Sequence, residues 1–225
     1  MNNTIPEAIG FIMDGNRRFA KSKNLPTIFG HKAGLDTLKK VVQWAEEVGV
    51  KLLYIYALST ENWNRGQEEV SYLLALFDEA FASVVKDFPR ARIRIIGNRS
   101  KFSEKLQNQM KEVEEKTAKN SGITLCIALS YGGRDELVHA FNTLLAQKKE
   151  TVEEKDISDT LFTTGLTDPA LIIRTGGEKR LSNFLPWQSI YSELYFSDTL
   201  WPAFTKEEFE AILGEYAKRE RRFGA

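Results

Sequence analysis

FIMDGNRRFAK (Phe11–Lys21) carries three apolar residues straight into an acid, a glycine, an amide and two arginines. The apolar run begins earlier, and Ala8–Met13 reads as a short buried strand. Open α/β sheets bind ligands outside the carboxyl ends of their strands. A strand that ends in Asp14, Gly15, Asn16, Arg17 and Arg18 therefore reads as a parallel sheet reaching its ligand site.

Three further apolar segments end in the same way. Leu52–Leu58 runs into STENWNR (Ser59–Arg65), Ile123–Leu129 into SYGGR (Ser130–Arg134), and Leu171–Ile173 into RTGGEKRLSN (Arg174–Asn183). Helical patterns separate them. His31–Val48 places Leu35, Leu38, Val41, Val42, Ala45 and Val48 at helical spacing, and Gly49 stops it. Glu68–Asp87 presents a wide apolar face: Val70, Leu73, Leu74, Leu76, Phe77, Ala80, Phe81 and Val84. Arg92–Gly97 reads as a strand, Ser103–Lys119 as a polar helix and Asp135–Gln147 as another helix. Ser192–Ser197 reads as a last strand and Lys206–Glu220 as a closing helix. This alternation predicts an α/β fold with a mostly parallel central sheet flanked by helices. No Pro/Gly/Ser-rich linker divides the chain, so residues 1–225 read as a single domain. The four polar clusters then converge on one sheet edge.

Composition narrows the class. With 42% hydrophobic residues, 225 residues can build one sizeable core. The 31 basic and 31 acidic residues balance, which argues against a protein that coats nucleic acid. The apolar runs are too short for a transmembrane helix. MNNTIPEAIG lacks the basic and apolar regions of a signal peptide. The single cysteine, Cys126, forms no internal disulfide and reads as core. A cytoplasmic protein is expected.

The clusters contain Arg17, Arg18, Arg65, Arg134, Arg174 and Arg180, several beside glycines. Guanidinium forks match phosphate oxygens, and glycine lets backbone N–H groups approach closely. Asp14 is a hard oxygen ligand suited to Mg²⁺ bridging phosphates. No P-loop or dinucleotide fingerprint is present. Two arginine groups on distant strands suggest two phosphate-bearing substrates, or one large one. The wide face of Glu68–Asp87 is either core or the lining of a hydrophobic tunnel, where each buried CH₂ of a lipid contributes about 0.8 kcal/mol. Plainer readings stand beside these. A strand-end aspartate is commonly a cap or turn residue, His139 packs on its helix, Tyr131 and Tyr191 suit core edges, and Lys111–Lys119 reads as a solvated helix face.

MDGNRR, FGHKAG, STENWNR, YGGR, IRTGGEKRLSNFLPWQ, SELYF and RERRFG, in that order, resemble the cis-prenyltransferases, and most of all the bacterial undecaprenyl diphosphate synthase type. The resemblance runs from about Ile9 to Gly224. It implies a Mg²⁺-dependent homodimeric transferase of isoprenoid biosynthesis with a hydrophobic tunnel. The activity implied is condensation of an allylic diphosphate, such as farnesyl diphosphate, with successive isopentenyl diphosphates. The product would be a long polyprenyl diphosphate, such as undecaprenyl diphosphate, for cell wall biogenesis. Membrane contact would be peripheral, through the lipid product, and no nucleic acid is expected as a partner.

The resemblance also assigns roles. Asp14 is the catalytic, Mg²⁺-linked aspartate, with Glu193 a second metal-linked carboxylate near the dimer interface. Gly15, Asn16, Arg17, Arg18 and His31 surround the allylic diphosphate, and Phe19 stands at a common tryptophan position. Asn62 is the asparagine assigned to proton removal, flanked by Ser59, Thr60, Glu61, Trp63 and Arg65. Arg174, Arg180, Leu181 and Ser182 form the isopentenyl diphosphate clamp. A carboxamide is a weak base, so a diphosphate oxygen is the competing proton acceptor. The chain departs from the pattern at Thr27, where bacterial members commonly have arginine, and at Arg17, where many have glycine. Two alternatives remain: a short-chain cis-prenyl diphosphate synthase, and a non-catalytic partner subunit. Ala57 and Ala80 leave room along the tunnel and favour a long product. The presence of Asp14, Asn62, Arg174 and Glu193 argues against the partner subunit.

Overall fold

The structure is a computed structural model in which residues 5–219 are described. Six parallel strands form one sheet in the order β3-β4-β2-β1-β5-β6. They are β1 (Ala8–Ile12), β2 (Leu52–Ser59), β3 (Arg92–Ile96), β4 (Thr124–Tyr131), β5 (Leu171–Arg174) and β6 (Glu193–Phe196). The helices are α1 (Asn16–Ser22), α2 (Thr27–Val48), α3 (Gln67–Asp87), α4 (Glu104–Thr117), α5 (Gly133–Ala146), α6 (Glu154–Thr160) and α7 (Lys206–Lys218).

Each central strand is buried on both faces, as parallel sheets require. Along β1, Ile9 and Phe11 point into one core, and Ala8 and Ile12 into the other. The larger core lies under α2, α3, α4 and α7, with Val41, Phe81, Met110 and Phe209 meeting Phe11, Leu53 and Ile93. The smaller lies on the opposite face, where Tyr54, Cys126, Tyr131, Ile172, Phe184 and Leu185 pack together. Cys126 is fully buried, and burial pushes its thiol pKa up.

The expected elements are present with shifted ends. Helix α2 starts four residues earlier than its apolar spacing indicates, directly after Pro26, whose φ of −54° is already near helical. It ends at Gly49, whose left-handed φ of 93° lets Val50 N–H reach the Ala45 carbonyl at 3.0 Å. Two helices went unpredicted. Residues 16–22 carried no helical expectation but form α1, and α6 is too short for a periodic signal. The closing helix was expected to Glu220 and is described to Lys218; Glu220–Gly224 of RERRFG lies outside the described residues.

The wide apolar face of α3 is only partly covered. Leu73, Leu76, Phe81 and Val84 are buried, while Val70, Leu74, Phe77 and Ala80 are half-buried. An apolar cavity of about 60 Å³ lies among α2, α3, β2 and β4, lined by Leu38, Val42, Ile55, Ala80, Phe81 and Leu125 among others. Among the described residues, no helix is long and apolar enough to cross a membrane.

Candidate active site

The site begins where β1 ends. The Asp14 carbonyl accepts from Trp201 N–H at 3.0 Å and from Thr175 Oγ1 at 2.8 Å, which fixes the backbone past the strand. Its carboxylate meets two guanidiniums. Arg174 Nη2 donates to Oδ2 at 2.8 Å, and Arg18 Nη2 lies 3.3 Å from Oδ1. Arg174 closes β5 and is buried. Its Nη1 donates to Ser182 Oγ at 2.7 Å and to the Arg180 carbonyl, while its Nε is buried without a partner. One side chain thus links Asp14 to the 180–182 loop.

Helix α1 places the next group. Gly15, at φ 112°, turns the chain where a Cβ would stand 2.9 Å from Leu200 Cα. Asn16, Arg17 and Arg18 follow as the first helical turn, whose N–H groups have no intrahelical acceptor. Helix α1 lies close on α2 because α2 presents two glycines. A Cβ at Gly30 would stand 2.0 Å from the Asn16 carbonyl oxygen, and one at Gly34 2.3 Å from Asn16 Oδ1. The spacing of FGHKAG is a docking seat for α1.

After β2 the chain forms a 3-10 turn, Thr60–Asn64, closed by a capping box between Ser59 and Asn62. Ser59 N–H donates to Asn62 Oδ1 at 3.1 Å. Only the amide oxygen can accept that bond, so the side chain is left with Nδ2, a donor, for the cleft. At the start of α3, Glu69 gathers the opposite wall. It accepts from Arg65 Nη1 at 2.9 Å, lies 3.3 Å from His31 Nε2 and 3.8 Å from Arg17 Nε. Burial lowers the His31 pKa, against the raising influence of Glu69.

These elements enclose a cleft of about 1150 Å³. Of the sequence-predicted residues, Asp14, Gly15, Asn16, Arg17, Arg18, His31, Ser59, Glu61, Asn62, Arg65, Arg174 and Ser182 line it. The others lie elsewhere. Trp63 Nε1 donates to Ser130 Oγ at 2.9 Å, and its ring packs on Phe102. Thr60 packs beside Gly132. Phe19, on α1, does not line the cleft, Leu181 packs on the smaller core, and the Arg180 guanidinium pairs with Glu178. Glu193 starts β6 at the register of Leu171, three residues before the strand's carboxyl end, and pairs with Arg219. Three residues of strand amount to roughly 10 Å.

The expected convergence of four clusters resolves into three plus a brace. SYGGR does not line the cleft. Tyr131 turns into the smaller core, and the N–H groups of Gly133 and Arg134 bind Asn183. Sequence reading missed Glu69, Tyr56, Asn183 and the Asn24–Pro26 rim. The Arg65/Glu69 spacing of four residues was the available signal for Glu69. Tyr56 lies within an apolar strand and carries no local mark.

The cleft's carboxylates are Asp14 and Glu61. Among the described residues, no group of three or more His, Cys, Asp or Glu could cage a metal. One or two carboxylates ringed by arginines suit a different arrangement, in which Mg²⁺ is shared between a carboxylate and substrate phosphates. The donor set fits that group at Asp14.

A parallel sheet with arginines and an aspartate gathered at its carboxyl edge defines an α/β protein with a cleft lined by cationic side chains. A family model described as "Putative undecaprenyl diphosphate synthase" matches residues 12–224. The isoprenyl transferase of Fusobacterium nucleatum is 46% identical over 226 residues, covering 100% of this chain and 98% of that relative. That of Thermotoga maritima is 45% identical, covering 98% and 97%. Among solved structures, lavandulyl diphosphate synthase from Lavandula x intermedia, in complex with dimethylallyl diphosphate, superposes with a TM-score of 0.93 at 31% identity, covering 98% of this chain and 99% of that one. A probable undecaprenyl diphosphate synthase from Campylobacter jejuni gives 0.84 at 34% identity, covering 99% and 100%. The chain belongs to the isoprenyl transferase, or cis-prenyltransferase, family.

Proposed function

We propose that the protein elongates an allylic diphosphate, farnesyl diphosphate foremost, with isopentenyl diphosphates to a long cis-polyprenyl diphosphate of the undecaprenyl class. The carrying observation is one cleft with arginines on two sides of Asp14: Arg17 and Arg18 on α1, Arg174 on β5. Two diphosphates have two cationic seats there. The α1 side, with its first-turn N–H groups and His31 behind it, takes the allylic diphosphate. Arg174 and Ser182 take isopentenyl diphosphate, and Arg180 joins them by leaving its partner Glu178.

Mg²⁺ held by Asp14 and substrate phosphates would supply charge neutralisation for the departing diphosphate. The arginines add fixed positive charge where that negative charge develops. Asn62, with Oδ1 committed to Ser59, acts as a hydrogen-bond donor that orients the second substrate. The proton lost from isopentenyl diphosphate then goes to a diphosphate oxygen. Glu193 lies far along β6, so Asp14 is the metal ligand this chain supplies at the cleft. Exposed Val138, Phe141 and Leu145 form a stripe on α5, and Ile190 is exposed ahead of β6. These apolar surfaces support a homodimer through that side. A cytoplasmic enzyme with peripheral membrane contact through its lipid product follows from the same reading.

One observation favours the second reading, a short-chain synthase. The cavity between α2 and α3 is about 60 Å³, too small for a long polyprenyl chain. A long chain therefore requires α2 and α3 to part. The deciding experiment incubates the protein with Mg²⁺, labelled isopentenyl diphosphate and geranyl, farnesyl or geranylgeranyl diphosphate, then sizes the dephosphorylated lipid. A ladder ending near eleven isoprene units supports the long-chain reading. Arrest after one or two additions moves the assignment to the short-chain enzyme, and no lipid from any starter overturns catalysis.

A further inference from the structure

The turn that presents Ser182 to Arg174 is strained. Ser182, Asn183 and Leu185 have φ of 49°, 66° and 48°. Residues with side chains avoid that left-handed region and persist in it only where the surroundings over-determine them. Here the surroundings lie on the face opposite α2 and α3. Phe184 is fully buried and stacks on Tyr56 at 4.5 Å, and Tyr56 OH donates to the Ser182 carbonyl at 3.2 Å.

A buried polar network closes the turn from beneath. Gln188 Nε2 donates to Glu136 Oε2 at 3.0 Å and to Thr163 Oγ1 at 2.8 Å. Tyr131 OH donates to the same Glu136 oxygen at 2.6 Å. Glu136 and Tyr131 are both 0% exposed. Beside them, Gly133 N–H and Arg134 N–H donate to the Asn183 carbonyl and Oδ1 at 2.8 and 3.0 Å. A Cβ at Gly133 would stand 2.0 Å from Pro186 Cδ, so the β4–α5 junction and the turn are fitted to one another. Glu136, Thr163 and Gln188 do not line the cleft. Among the described residues Glu136 makes no ion pair, and burial pushes its pKa up; a buried acid without a cation is costly compared with an apolar side chain. Its presence calls for a role beyond packing.

We propose that Glu136 is a positioning residue which, with Tyr131 and Gln188 as its two arms, holds the Ser182–Leu185 turn so that Ser182 Oγ and the Arg180 carbonyl fix Arg174 for the non-allylic diphosphate. The inference rests on the reading of Arg174 as the isopentenyl diphosphate clamp. It makes YGGR and its following glutamate a brace for specificity rather than a part of the cleft.

The test compares wild type, Gln188→Leu and Glu136→Gln in steady-state kinetics with each substrate varied separately, together with hydrogen–deuterium exchange. Gln188→Leu is expected to raise KM for isopentenyl diphosphate about tenfold, with the allylic KM and kcat within about threefold of wild type. Exchange should rise across residues 181–189 and stay unchanged across residues 14–21. Glu136→Gln keeps an acceptor oxygen for both arms, so rescue to within about threefold of wild type supports the two arms as the device, whereas a loss as large as that of Gln188→Leu overturns them as its cause. Faster exchange in 181–189 with KM unchanged overturns the proposal, because the network is then only structural. A parallel rise in both KM values overturns it too. If Gln188→Leu does not fold, Tyr131→Phe removes one arm and is judged by the same criteria. A wild type that makes no prenyl product refutes the clamp reading, and the proposal with it; the exchange data then report the brace by itself.

Discussion

Arg174 Nη2 sits 2.8 Å from Asp14 Oδ2, with the arginine side chain 5% exposed and the aspartate 31%. The pair joins the ends of two neighbouring strands, β1 and β5. The same guanidinium also binds Ser182 and the Arg180 carbonyl. Lysine offers a point charge and cannot serve three acceptors in a planar fork. Arg174→Lys is expected to lower kcat/KM for isopentenyl diphosphate by about 10²-fold, or ~2.7 kcal/mol of transition-state stabilisation. Steady-state kinetics check it; a loss under about threefold would remove Arg174 from the clamp.

Asn62 separates a donor role from a base role. Asn62→Asp keeps an acceptor for Ser59 N–H, so the 3-10 turn should persist, but it loses the Nδ2 donor. We expect near-wild-type Tm and a fall in kcat of about 10²-fold or more. A stronger base at this position would speed turnover if Asn62 took the proton, so retained or increased kcat would reverse the assignment.

Gly30 seats α1. A Cβ there would press on the Asn16 carbonyl, which is backbone and cannot swing aside. Gly30→Ala should cost about 1–3 kcal/mol through overpacking. For a chain of this size that lowers Tm by roughly 2–12 °C. The displaced α1 should also raise the allylic KM, while KM for isopentenyl diphosphate stays near wild type.

His31 carries a pH signature. Burial lowers its pKa from 6.5, against the Glu69 hydrogen bond. The folded state then binds this proton less readily than the unfolded chain does. Its contribution is complete above about pH 6.5 and declines as pH falls below it, by at most about 1.4 kcal/mol per pH unit. Denaturant titrations of wild type and His31→Asn at pH 8 and pH 5.5 should show wild type losing ground to the variant at the lower pH. Parallel curves would contradict the neutral, buried histidine.

Ala80 lines the cavity between α2 and α3. Leucine there fills the space that the proposed long-chain reading gives to the growing chain. Ala80→Leu should shift products to shorter chains with the first condensation little changed, read by sizing the dephosphorylated lipids. An unchanged ladder would place the chain's path elsewhere.

The sequence by itself determined the alternating fold, the strand ends and most of the cleft. Asp14, Arg17, Arg18, Asn62 and Arg174 stand within a few residues of apolar strands, and burial pattern and strand order then carry them to one edge. Local chemistry fixed these because a strand's end is visible in a handful of neighbouring residues. What only tertiary structure decided depends on contacts between distant segments. Asn16–Ser22 is helical because Gly30 and Gly34 leave room for it, which no pattern within those seven residues announces. YGGR left the cleft and became a brace because Gly133 and Arg134 meet Asn183, about fifty residues on. Strand register set Glu193 near Arg219, at the far end of β6 from the cleft, a placement that SELYF does not show. Register and close approach are properties of pairs of segments, and a linear sequence carries each segment alone.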